Sequence, residues 1–80
     1  MTLNKAFALR VSNILTQRKM SKYQLEKKTG ISRETLKSII KGKTKGVNLK
    51  TVVLIAYGLD MSVAEFLHDD LFDYNNLTID

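Results

Sequence analysis

The stretch SKYQLEKKTGISRETLKSIIKG, residues 21–42, leaves the backbone few choices. Ser21 and Ser32 each precede a run of helix-forming residues, and a serine oxygen there can accept from an amide of the first turn, which is what a helix start requires. Between the two runs stands Gly30, free to take the left-handed conformation that ends a helix. Gly42 stops the second run. The segment therefore predicts one helix from Ser21 to Thr29 and another, RETLKSIIK, joined by a tight turn. Leu25, Ile31, Leu36 and Ile39 fall where they can lock the pair together, while the opposite face of the second helix is wholly polar.

The rest of the chain has the same grammar. Leu3, Phe7, Val11, Ile14 and Leu15 recur at helical spacing and predict a first helix over about residues 3–18, with these five side chains forming one core-facing stripe. Asn48 is a good cap for LKTVVLIAYG, which is apolar nearly all round and is expected to be buried, with Gly58 as its end. Ser62 caps VAEFLHD, and Glu65 three residues on completes a capping box. The tail DLFDYNNLTID alternates acids with Leu71, Phe72, Tyr74, Leu77 and Ile79, so it can pack on the domain or on a partner subunit. The expected fold is all-α: one compact five-helix domain over residues 1–80, its core about 3–68 and its acidic, aromatic tail 69–80.

Charge is segregated along this framework. Eleven of the 13 Lys and Arg residues lie between Arg18 and Lys50, where Glu26 and Glu34 are the only acids, a local balance of +9. From Asp60 to Asp80 there are six acids and no Lys or Arg. A basic block inside a folded domain is the footprint of a polyanion-binding face. With no cysteine, the chain offers neither a disulfide framework nor a thiolate metal site nor a cysteine nucleophile, consistent with a reducing cytoplasm. It shows neither an export signal nor an apolar run of about 18 residues, so the expectation is a soluble cytoplasmic chain. Its one histidine, His68, has no carboxylate or cysteine cluster around it in sequence, and no metal, cofactor, small-molecule ligand or catalytic role is expected.

Two kinds of phosphate binding compete for GISRETLKSIIKGKTKG. A nucleotide-binding loop needs a glycine five positions before Gly42-Lys43-Thr44, between a strand and a helix. That position is Lys37, in a run with helical periodicity, so the pattern fails twice. Two short helices around a glycine turn instead make a helix-turn-helix, whose second helix enters the major groove. Its outward residues are Arg33, Glu34, Lys37 and Ser38; Arg33 suits a bidentate contact to guanine, and Glu34 can accept from a cytosine amino group or else orient Arg33. Lys27 and Lys28 are expected to be solvated, and Tyr23 either bonds a phosphate or covers the junction of the two helices.

MSKYQLEKKTGISRETLKSIIKGKTK followed by NLKTVVLIAYGLDMSVAEFL resembles the Xre/Cro family of helix-turn-helix regulators, which includes the lambdoid phage repressors, over about residues 5–68. The resemblance implies a lambda-repressor-like domain that regulates transcription by binding a palindromic operator in double-stranded DNA as a homodimer, and is not an enzyme. By that resemblance the base-reading positions are Arg33, Glu34, Lys37 and Ser38, with Ser32 and Thr35 close by as phosphate contacts. The phosphate-clamping positions fall on Ser21, Lys22 and Gln24, and on Lys41, Lys43, Thr44 and Lys45, the last group acting with the backbone amides after the second helix of the motif. One departure stands out: the fifth position of the motif, usually Ala, is Glu26, whose stem must bend outward unless the helices move apart.

Within this class a phage-type repressor is the leading expectation, and a restriction-modification controller or an antitoxin-type regulator are its near alternatives. A protein-interaction module using the acidic tail is the alternative from a different class. A membrane-surface binder fits less well, because the lysines sit on short punctuated helices.

Overall fold

The computed structural model describes residues 1–44 and 46–79. Five α-helices follow one another: α1 Leu3–Gln17, α2 Lys22–Thr29, α3 Arg33–Ile40, α4 Leu49–Gly58 and α5 Val63–Leu67. Each begins behind an extended residue, Thr2, Ser21, Ser32, Asn48 or Ser62, whose side chain accepts an amide of the first turn. Such caps satisfy donors that would otherwise be orphaned, which matters most for helices of five to ten residues that are marginal alone. α5 is closed by the expected capping box, and bonds from the Ser62 amide and hydroxyl hold the Glu65 carboxyl below the usual range.

α1 packs on α3, α2 on α3 and α4, and α4 on α5, around a core of Phe7, Val11, Ile14, Leu15, Leu25, Leu36, Ile39, Ile55, Ala56, Leu59 and Phe66. Of the five-residue stripe expected on α1, Leu3 is not core: it lies at the first turn, beyond the cover of its neighbours, and is 45 % exposed. α4 also departs from expectation. Only Ile55, Ala56 and Gly58 are buried within it, whereas Leu49, Val53 and Tyr57 form an exposed row, because α2 and α5 pack on other sides and no described element covers this one.

α4 ends at Gly58, as expected, but Gly58 is not the left-handed residue that turns the chain. The reversal occurs at Asp60, with φ 60°, where Met61 donates to the Ala56 carbonyl at 3.0 Å. Gly58 is instead the point at which α2 and α4 touch: a Cβ there would stand 2.6 Å from Thr29 Cγ2 and 2.7 Å from Leu25 Cδ1. Leu25 is fully buried and cannot swing away. Gly58→Ala is therefore expected to destabilise the domain by about 1–3 kcal/mol through overpacking, a fall in Tm on the order of 10 °C. A circular-dichroism melt superimposing on wild type would contradict that close approach.

Long-range polar ties close the domain. Arg10, with a side chain only 12 % exposed, donates to the Phe66 and Glu65 carbonyls at 2.8 and 2.9 Å and pairs with Asp69 at 3.2 Å, joining α1 to the end of α5. Arg18 donates to the Leu59 carbonyl at the end of α4. Lys28, expected to be solvated, bonds both oxygens of Asp60 at 2.9 and 2.8 Å and holds that carboxyl below its ordinary range. The tail packs in cis. It forms 3-10 turns at Asp70–Phe72 and Tyr74–Asn76, lays Phe72 against Phe66 and ends in a bridge between Thr78 and Thr2.

Candidate nucleic-acid interface

The geometry of the α2–turn–α3 unit follows from its caps. Gly30, at φ 74°, ends α2 with its amide on the Glu26 carbonyl, and two residues later Ser32 opens α3. Leu25, Leu36 and Ile39 are buried between the helices and the core, with Ile31 packed against them. This fixes which residues α3 turns outward. Arg33, Glu34 and Lys37 are exposed, and Ser38 is half-buried. Ser32 and Thr35 are exposed as well, but they bond each other: the Ser32 hydroxyl donates to Thr35 Oγ1 at 2.9 Å while accepting the Thr35 amide at 3.2 Å.

Arg33 is tethered. Its Nε donates to Glu26 Oε2 at 3.2 Å, across from α3 to α2. Glu26, rather than Glu34, is thus the carboxylate that orients it. The pairing also resolves how a glutamate fits between closely packed helices: its stem bends outward, and α2 and α3 remain in contact. Lys22, Tyr23, Glu26, Arg33 and Lys37 line the shallow groove between the two helices. Tyr23 is exposed there, with the Lys27 ammonium 5.3 Å from its ring centroid, so it does not seal the junction.

At the start of α2, Ser21 and Gln24 form a reciprocal box: the Ser21 hydroxyl accepts the Gln24 amide at 3.1 Å, and Gln24 Oε1 accepts the Ser21 amide at 2.8 Å. Spending the oxygen of Gln24 on the backbone turns its amide nitrogen away as a free donor. The amides of Lys22 and Tyr23 have no acceptor among the described residues, and the positive end of the helix dipole adds to them. Ser21, Lys22 and Gln24 thus form one exposed cluster of hydrogen-bond donors.

The exit from α3 differs from expectation. Gly42 sits at φ 70°, its amide bonds the Ile39 carbonyl at 3.0 Å, and the Lys43 amide bonds the Ser38 carbonyl at 3.0 Å. This double closure satisfies the last carbonyls of α3. The Lys41 amide is also spent, on Lys37, and the Gly46 amide donates to Asn4 Oδ1 at 3.1 Å. These four backbone donors are therefore not available to a phosphate, whereas the Thr44 amide has no acceptor among the described residues. Lys41 and Lys43 are exposed and Thr44 is half-buried; Lys45 lies outside the described residues. The same closure separates Gly42-Lys43-Thr44 from a nucleotide loop, which needs those amides free. His68, at the end of α5, is exposed.

No described helix is long and apolar enough to cross a membrane. A family model of the Cro/C1-type HTH DNA-binding domain matches residues 10–74. No curated protein and no solved structure matches the chain.

Proposed function

The chain belongs to the Cro/C1-type helix-turn-helix DNA-binding family, and from that premise we propose that it is a sequence-specific transcriptional regulator, a repressor that binds a palindromic operator as a homodimer. The observation that carries this reading is the outer face of α3: Arg33, Glu34 and Lys37 are all exposed, and Lys22 and Lys41 line the same α2–α3 groove as Arg33 and Lys37. An exposed polar reading surface edged by cations is what a helix lying in the major groove requires, because phosphate contacts set register while base edges carry the sequence. Ser38, half-buried, completes the reading face, and Ser32 and Thr35 mark its phosphate-facing border.

The dimer is compatible with the size of the domain. It measures 33 × 23 × 21 Å, so copies on half-sites about 34 Å apart can meet when their long axes run along the duplex. The exposed row Leu49, Val53 and Tyr57 is an apolar surface suited to that meeting. A repressor needs no more than occupancy of its operator to exclude other proteins. Controller and antitoxin-type regulators share this chemistry and differ in the genes they serve. The tail-based interaction module is less well supported, because the tail is folded against its own domain.

Selection of bound fragments from random duplex DNA tests the proposal and is expected to return a palindrome. On that site Arg33→Ala should cost about 1–3 kcal/mol at one base pair of each half and little on random DNA, whereas Lys43→Ala should weaken all duplexes alike. Equal losses on selected and random DNA for Arg33→Ala would remove its reading role. Failure to enrich any sequence would refute the regulator, and a species that sediments as a monomer both free and on DNA would refute the dimer.

A further inference from the structure

Arg33 is the first residue of α3, where the helix dipole disfavours a cation, and its side chain is 74 % exposed. Left alone, such a side chain would sample many rotamers over the reading face. It is held instead by one carboxylate. Glu26, with a side chain only 26 % exposed, reaches from the fifth residue of α2 to Arg33 Nε at 3.2 Å. Among the described residues this is the only ion pair of either partner, although Lys22 stands one turn before Glu26.

Which nitrogen is engaged matters. Only Nε donates to Glu26, so both terminal nitrogens of the guanidinium remain unbonded among the described residues. Those two form a planar fork matched to the O6 and N7 acceptors of guanine. An exposed pair adds little stability, so its physical consequence is orientation: it lowers the rotamer entropy that Arg33 would lose on meeting a base. The carboxylate also sets a negative charge beside the reading face, which disfavours duplex registers that bring a phosphate there.

We propose that Glu26 is a specificity-determining positioning residue, holding Arg33 by Nε so that its terminal fork is presented to a guanine. This rests on the DNA-reading role of α3 proposed above.

The test starts from the duplex enriched by the wild-type chain, with the base pair read by Arg33 located by Arg33→Ala. Glu26→Ala, which keeps a good helix former in α2, should reduce discrimination at that base pair by about 3- to 5-fold. Its affinity for random duplex should stay level or rise, because an anion has left the face. Glu26→Gln, whose amide oxygen can still accept from Nε, should retain most of the discrimination. In an Arg33→Ala background, Glu26→Ala should change nothing at that base pair. Discrimination unchanged in Glu26→Ala, with all duplexes shifted by one common factor, would reduce Glu26 to a background charge and overturn the inference while leaving the regulator intact. An equal loss of discrimination in the Arg33→Ala background would overturn it as well. If the wild-type chain enriches no duplex, the DNA-reading role fails, and the inference with it.

Discussion

Phe66→Ala is expected to remove a large share of the stability of this domain. Phe66 is fully buried on α5, a helix of five residues that cannot persist without its packing. Its ring meets Phe7 of α1 at 5.2 Å between centroids and Phe72 of the tail at 6.0 Å, and the Arg10 guanidinium lies 5.9 Å from its centroid. One side chain therefore joins α1, α5 and the tail. Truncating a buried phenylalanine costs about 3–5 kcal/mol, while a domain of this size has about 4–12 kcal/mol in all. The expected result is a fall in Tm of at least about 15 °C, or loss of a cooperative transition, in a melt followed by circular dichroism. Phe72→Ala, at a half-buried ring, should cost much less. A Phe66→Ala protein melting within about 5 °C of wild type would mean that α5 and the tail unfold apart from the rest.

The contrast between Phe66 and Gly58 shows what kind of information a sequence carries. The starts of α2, α3, α4 and α5 were legible, because a cap and the amide it accepts lie three residues apart: Ser21 with Gln24, Ser32 with Thr35, Asn48 with Thr51, Ser62 with Glu65; the cap of α1, Thr2, went unread. The α2–turn–α3 framework was legible for the same reason, since Gly30 and the spacing of Leu25, Leu36 and Ile39 are local signals. Gly58 was not, because its partners Leu25 and Thr29 are some thirty residues away, and a glycine in sequence looks alike whether it reverses the chain or admits a neighbouring helix. Periodicity showed that α4 is apolar but not that Leu49, Val53 and Tyr57 go uncovered, since cover belongs to the neighbours. Arg10, whose partners lie 55 to 59 residues on, gave no sequence signal at all.

The candidate interface divides in the same way. Exposure of Arg33, Glu34 and Lys37 follows from the inward positions of Leu36 and Ile39 and could be read directly. The loss of the Gly42 and Lys43 amides could also have been foreseen, because a glycine that stops a helix commonly does so by donating back to it. Sequence alone could not decide between Glu26 and Glu34 as the partner of Arg33. Glu34 is the nearer in the chain, but Glu26 is the one that the packing of α2 on α3 brings across.

With the Lys41, Gly42, Lys43 and Gly46 amides committed, the proposed grip on DNA rests chiefly on ammonium groups, and that has a measurable consequence. Lys22, Lys41, Lys43 and Lys45 give four clamp cations in each copy and eight in a dimer. Each phosphate neutralised contributes about −0.9 to the slope of log affinity against log salt, so a dimer should show a slope of about −7. Raising monovalent salt from about 50 to 200 mM should then lower affinity for the selected duplex roughly 10,000-fold. A single copy, with four such contacts, would lose only about 100- to 200-fold over the same interval. Fluorescence anisotropy across that range distinguishes the two. A slope near −7 for wild type that falls by about 2 in Lys43→Ala would count one lost contact per half-site. A slope of −2 or less would place most of these lysines off the backbone, and binding would then have to come from neutral donors such as Ser21, Gln24 and the free amides of Lys22 and Tyr23, which release few counterions.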